Sequence, residues 1–184
     1  MAVVDWIFVE LRSADDSSIV VATTPALVLR DGNIIDMYGA GHLLFFDIEH
    51  GYYYISVRHR NHLGMMTAQP VELSCDSTFI DFTDPQFVTF GSRAQNLESD
   101  AMTMWWGDVV NDGEIRYAGV NNDRDPILVR IGGIVPTEVV PGYFSEDVNL
   151  DGVAKYAGIA NDRDLILTVI GGSIPTASKY QQLP

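Results

Sequence analysis

The residues best placed to do chemistry stand at 147–153, Asp147-Val-Asn149-Leu-Asp151-Gly152-Val153. Short oxygen-bearing side chains at alternate positions, followed by glycine, spell a loop that wraps a cation. The first, third and fifth side chains turn inward, glycine at the sixth permits the sharp turn, and the seventh residue, Val153, offers its backbone carbonyl. An all-oxygen set suits a hard cation, and calcium takes six to eight oxygens. A later carboxylate must close the shell. Its usual twelfth position is held here by Gly158, and the next acids, Asp162 and Asp164, stand sixteenth and eighteenth. The spacing predicts an insertion of about four residues, with one of these acids closing the site at the start of a short helix.

The same pattern occurs earlier at a fixed offset of 39 residues. Asp108 aligns with Asp147, Asp112-Gly113 with Asp151-Gly152, and Tyr117-Ala-Gly with Tyr156-Ala-Gly. Asn122-Asp123-Arg124-Asp125 aligns with Asn161-Asp162-Arg163-Asp164, Ile131-Gly-Gly with Ile170-Gly-Gly, and Pro136-Thr with Pro175-Thr. Six blocks in register without a gap mark two copies of one supersecondary unit. The first copy carries Val110 where the second has Asn149, so its site is expected to be weaker, or completed by water or by the Glu114 carbonyl. Its closing acid is Asp123 or Asp125. Two calcium ions are expected.

Short helices must position those acids. They are predicted at 125–131, with Pro126 in the first turn, and at 164–170, each stopped by a Gly-Gly pair. The Asn-Asp-Arg-Asp blocks could serve only as helix caps and surface ion pairs, but their repetition beside the loops favours a ligand from each copy.

The first half reads differently. Strands are expected from Val3 through Leu11, at 19–24 and 26–30, at 33–37 after the Asp31-Gly32 turn, and at 42–48 and 52–58. Shorter ones are expected at 67–74, 79–82 and 87–90. About eight short strands with close turns and no helical period indicate an antiparallel β-sandwich, immunoglobulin-like or prealbumin-like. Residues 91–104 read as a polar connection into Trp105-Trp106. The expected organisation is therefore a β-sandwich domain over 1–104 and a calcium-binding tandem over 105–184.

The phrases EDVNLDGVAKYAGIANDRDLILTVIGG (146–172) and GDVVNDGEIRYAGVNNDRDPILVRIGG (107–133) resemble a type I dockerin pair. The resemblance implies two loop–helix calcium motifs packed about a pseudo-twofold, non-enzymatic and used for protein attachment. The Tyr-x-Gly insertion followed by NDRD is similar to a variant near the C-termini of surface proteins from bacteria with the type IX secretion system. There it follows a β-sandwich with segments like VVDWIFVELR and VRHRNHLGMMTA, at 3–12 and 57–68 here. The family's ligand list carries over to Asp147, Asn149, Asp151 and a downstream Asp. Asp76-Ser77-Thr78 resembles the short O-glycosylation site of these proteins. The implied localisation is extracellular or at the cell surface.

Composition narrows the partners. The 184 residues carry 25 acidic and 11 basic side chains, a net charge of −14, which excludes a nucleic-acid backbone or an anionic membrane face as partner. Hydrophobics at 47% allow a buried core, and no stretch reaches the roughly 20 apolar residues of a membrane span. The lone Cys75 permits neither an intrachain disulfide nor a cysteine zinc site. The N-terminal run lacks a basic start and is interrupted by Asp5 and Glu10, unlike a signal peptide, so either a leader was removed or none is made. Arg58-His59-Arg60-Asn61-His62 is the one basic cluster, read as a solvated strand end in preference to a metal or sugar site. Trp105-Trp106 is expected to pack the linker onto the repeat. No nucleophile elbow, phosphate loop or zinc motif occurs, and the chain is expected not to be an enzyme. Three partner classes follow: copies of this chain in a fibre or surface assembly, with strand addition by the N-terminal run one route; a separate receptor domain; and carbohydrate, were this an accessory region of a larger secreted enzyme.

Overall fold

The computed structural model of the chain describes residues 2–184. It is mainly β, with antiparallel sheets and two short helices, and divides into two units. The first takes the chain to His59, then Gly64–Met104 and Gln182–Pro184; the second takes Arg60–Leu63 and Trp105–Gln181.

Six strands form the main sheet, which belongs to the first unit save for His62 and Leu63: β1 (Val3–Ser13), β2 (Val20–Leu29), β3 (Ile34–Ile35), β4 (Gly51–His59), β5 (His62–Met66) and β6 (Val71–Leu73). Their order is β3-β2-β1-β4-β5, with β6 also paired to β4. Alternation along β1 buries Ile7, Val9 and Leu11 on one face, where Ala26, Ile55, Val57, Met65 and Phe82 complete a core. From the opposite face Arg12 donates to Glu10 (3.0 and 2.8 Å), to the Ser17 carbonyl (3.1 Å) and to the Pro184 carbonyl (3.3 Å), so its buried charge is neutralised. Pro25 lies within β2 without ending it, opposite Phe8 of β1, and β3 covers β2 only at Leu27 and Val28. The run that opens the chain is paired on both sides over Phe8–Arg12, so strand addition by that stretch would require it to leave its own sheet.

Several strand boundaries differ from expectation. Residues 42–48, 79–82 and 87–90 form no strand apart from single bridge positions; Leu43, Phe45, Ile48, Ile80 and Phe87 instead pack irregular backbone against the core. The segment read as a polar connection holds a hairpin, β7 (Gln95–Glu98) and β8 (Ala101–Met104), with Ser99 in the left-handed region (φ 56°).

The second unit shows the duplication in its backbone. The first copy supplies β9 (Glu114–Arg116), α1 (Arg124–Arg130) and β10 (Val139–Pro141); the second supplies β11 (Val153–Lys155), α2 (Asp162–Val169) and β12 (Ser178–Tyr180). The pairing is reciprocal. β10 pairs with β11 of the other copy, β12 pairs with β9, and Val140↔Ala154 corresponds to Lys179↔Ile115 at the same offset. Each copy thus completes the other. Their shared core joins Val109, Ile115 and Ile127 from the first copy, Val148, Ile166, Val169 and Ile170 from the second, and Leu63.

Candidate metal loops

Both loops close on themselves through their own acids. In the second, the buried Asp147 accepts from the Asp151 amide (3.1 Å) and the Gly152 amide (3.0 Å). Asn149 Oδ1 accepts from the Asp151 amide (2.9 Å), and Asp151 Oδ1 from the Val153 amide (3.1 Å). In the first, Asp108 accepts from the Asp112 amide (3.0 Å) and the Gly113 amide (3.1 Å), and Asp112 Oδ1 from the Glu114 amide (3.0 Å). The chain can double back this tightly because Gly113 and Gly152 take φ of 81° and 88°.

The repeated Asn-Asp-Arg-Asp block divides its labour. Asp162 is fully buried and turns into the loop, accepting from the Val148 amide (2.7 Å), the Asn149 amide (3.2 Å) and the Lys155 amide (2.8 Å). Asp123 does the same with the amides of Val110 (3.0 Å) and Arg116 (2.7 Å). Asp125 and Asp164 face away. Each is more than half exposed, accepts from the preceding arginine, and takes the Nδ2 proton of Asn122 or Asn161 (2.8 Å). Asn161 Oδ1 in turn accepts from the Asp164 amide (2.9 Å), the N-cap bond of α2, and Asn122 holds the Asp125 amide at the same distance. Of the two acids considered for closing each loop, Asp123 and Asp162 are the ones that enter it. The α2 helix accordingly begins at Asp162, two residues ahead of expectation.

The electrostatics follow from this placement. Burial pushes Asp123 up to about 7 and Asp162 up to about 6, and each is raised further by the first acid of its own loop, Asp108 or Asp147. Asp108 is likewise raised to about 6, and Asp147 is raised, both chiefly by burial. Asp125 and Asp164 are lowered, first by their asparagine partners. Each loop therefore holds two buried carboxylates that disfavour each other's charge.

The remaining donors differ between copies. Asn149 anchors its loop to the Ala160 carbonyl through Nδ2 (2.9 Å), whereas Val110 is 38% exposed and can offer no such bond. The Glu114 side chain pairs with Arg116 and is held down to about 2 by it, so only its backbone could serve the loop. Val153 is half-buried at the start of β11. Among the described residues no group of three or more His, Cys, Asp or Glu side chains gathers as a metal centre. What converges in each loop is a pair of carboxylates that accept from backbone amides; as ligands they would offer oxygen alone, which suits a hard cation and not a soft one.

The other singled-out residues have structural roles. His59 Nε2 lies 3.0 Å from Asp5 Oδ2, both buried. Lys179 Nζ sits 3.5 Å from the centre of the Trp105 ring, and both tryptophans pack on the second core. Ser77 and Thr78 are exposed, the Thr78 hydroxyl donating to the Glu72 carbonyl (2.9 Å). Cys75 is exposed, with Sγ 3.6 Å from His50 Nε2. Sequence reasoning missed Asn61, which is fully buried and bonds to the start of both loops. Its setting in a basic, strand-like stretch gave no local signal of that role. Compared with known proteins, the chain matches no family model, no curated protein and no solved structure.

Proposed function

We propose that this is a non-catalytic, extracellular calcium-binding protein of structural or attachment type, whose dockerin-like tandem is ordered by two calcium ions and engages a protein partner. The observation that carries the reading is the duplicated pair of buried carboxylates, Asp108 with Asp123 and Asp147 with Asp162, each closing an Asp-Gly loop of oxygen donors. Two interacting buried acids are costly without a counter-charge, and a divalent cation removes that cost. Asp108, Asp112, Asp123 and the Glu114 carbonyl would hold the first ion; Asp147, Asn149, Asp151, Asp162 and the Val153 carbonyl would hold the second. A bound ion would supply counter-charge and a cross-link, and the protein supplies loops already closed by their own Asp side chains. We read the first unit as the β-sandwich that carries this module.

Protein contact is supported by apolar side chains exposed at equivalent places in both copies, Val120 and Ile159 at 83% and 94% and Val135 and Ile174 at 45% and 61%. Copies of this chain or a separate receptor satisfy that surface equally. Light scattering with and without chelator separates them.

Calcium titration calorimetry and thermal unfolding in calcium and in chelator test the metal reading. At calcium 100-fold above Kd each filled site stabilises the folded chain by about 2.7 kcal/mol, so chelation should lower the melting temperature visibly. Asp147→Ala with Asp151→Ala should abolish the tighter binding step and most of the chelator effect. A double variant with unchanged uptake and unchanged melting removes the second loop as a calcium site.

A further inference from the structure

Asn61 stands in the one stretch of the first half that belongs to the second unit, Arg60–Leu63. It is fully buried. Its Nδ2 donates to the Asp147 carbonyl (2.8 Å) and the Ser145 carbonyl (2.9 Å), while its Oδ1 lies 2.8 Å from His62 Nδ1. Its main-chain carbonyl accepts from the Gly107 amide (2.9 Å) and the Asp108 amide (3.1 Å). One residue thus holds the backbone at the first position of both loops, by its side chain in the second and by its main chain in the first.

We propose that Asn61 is the positioning residue of the second metal loop. The proposal rests on the calcium reading given above. Asp147 is the acid around which that loop folds, and the direction of its carboxylate follows from the backbone that carries it. The Asn61 amide fixes that backbone on both sides of Glu146, through the carbonyls of residues 145 and 147. A loop held in its binding shape spends less of the ion's binding free energy on ordering, and partners of this outer kind change metal affinity by about 10- to 100-fold when removed. The two loops should respond unequally. Replacing the side chain deletes both bonds to the second loop and leaves the main-chain carbonyl that holds the first.

The test uses the full chain with Asn61→Ala, and Asn61→Leu as a second variant that fills the space without a donor. Calorimetric titration with calcium chloride is run in two backgrounds, Asp108→Ala, which leaves the second loop, and Asp147→Ala, which leaves the first. Loss of Asn61 should weaken calcium binding about tenfold in the first background and less than about twofold in the second. Equal weakening in both overturns the proposal and makes Asn61 a general scaffold residue. Amide hydrogen exchange on the metal-free chain gives an independent readout. The Asp151 and Gly152 amides, which rest on Asp147, should exchange faster in the variants, and those of Asp112 and Gly113, which rest on Asp108, should not. If the wild-type chain takes up no calcium, the metal reading fails, and exchange still decides the positioning: a change confined to the second loop supports it, and the same change in both loops overturns it.

Discussion

Among single residues, those of the block Asn-Asp-Arg-Asp do most to set the shape and charge of both loops. Two chemically identical acids, Asp162 and Asp164, lie two positions apart and end in opposite environments, one buried and raised, the other exposed and lowered. Their types were legible in the sequence, but their assignment was not. It depends on which acid the N-cap asparagine turns outward, and that is set by the first helical turn. The buried pairs fix the sign of a pH response. Asp123 and Asp162 have folded values of about 7 and about 6 against an ordinary 3.8. Between those limits the folded metal-free chain keeps protons that the unfolded chain has released, so its stability falls as pH rises through that window. Urea unfolding in chelator at pH 5 and pH 7 should show the lower midpoint at pH 7, and saturating calcium should reverse the order, because the ion needs both carboxylates ionised. Backbone strain supplies a second residue-level prediction. Asn121 and Ala160 occupy equivalent positions with φ of 55° and 54°, a region asparagine tolerates and alanine enters at a cost of roughly 1 kcal/mol. Ala160→Asn should therefore stabilise the chain by about 0.5–1 kcal/mol, read as a raised urea midpoint with an unchanged slope.

At the scale of elements, legibility followed the amount of local information. The loops and helices of the repeat could be placed because Asp, Asn and Gly at fixed offsets each impose a local geometry, and the second copy checked the first. The long strands β1 and β4 were visible in their β-branched and aromatic runs, whereas β2, expected as two strands parted at Pro25, runs unbroken from Val20 to Leu29. The hairpin β7–β8 was not visible, because Gln-Asn-Leu-Glu has low strand propensity and forms only by pairing with Ala101–Met104. Residues 42–48 failed in the other direction. Leu43, Phe45 and Ile48 are half-buried against the core, so the apolar alternation was real, yet it reports burial and not a ladder. The helix starts yield a test of their own. Asn161 closes the first turn of α2 through Oδ1 and ties the inserted Gly158 carbonyl through Nδ2 (2.7 Å) while nearly fully buried. Asn161→Ala removes the cap and hands the exposed Gly158 carbonyl to water, and should cost about 1 kcal/mol in chemical unfolding. Arg163→Ala, which removes an ion pair with the exposed Asp164 and a ring contact 5.0 Å from Tyr156, should cost less than about 0.5 kcal/mol. An equal cost at the two positions would show that the insertion is not held by the asparagine.

At the scale of the whole molecule, the net charge of −14 divides into two kinds of acidity. On the first unit the acids are mostly solvated or paired, as Glu10 is with Arg12. On the second, four of them are buried in interacting pairs, and two divalent ions would bring that unit from −4 to neutral. The reciprocal ladders explain why the repeat occurs as a pair. A single copy would expose the inner face of its loop strand, and Ile115 and Ala154, both fully buried, are covered because each copy lends its last strand to the other. The core so formed also includes Leu63, contributed from a distant part of the sequence and 1% exposed. No repeat-based boundary in the sequence could reveal this, since a leucine between the expected strands at 52–58 and 67–74 carries no mark of the core it enters. Leu63→Ala should therefore destabilise the second unit by about 3 kcal/mol, the cost of a large-to-small change in a closed core. In a Trp6→Phe background the remaining tryptophans, Trp105 and Trp106, lie against that core and report its melting alone. The fluorescence transition should move to lower temperature, while exchange protection of the β1 and β2 amides in the first unit stays unchanged. A loss of protection in β1 with the tryptophan transition unmoved would mean that Leu63 serves the first unit's core.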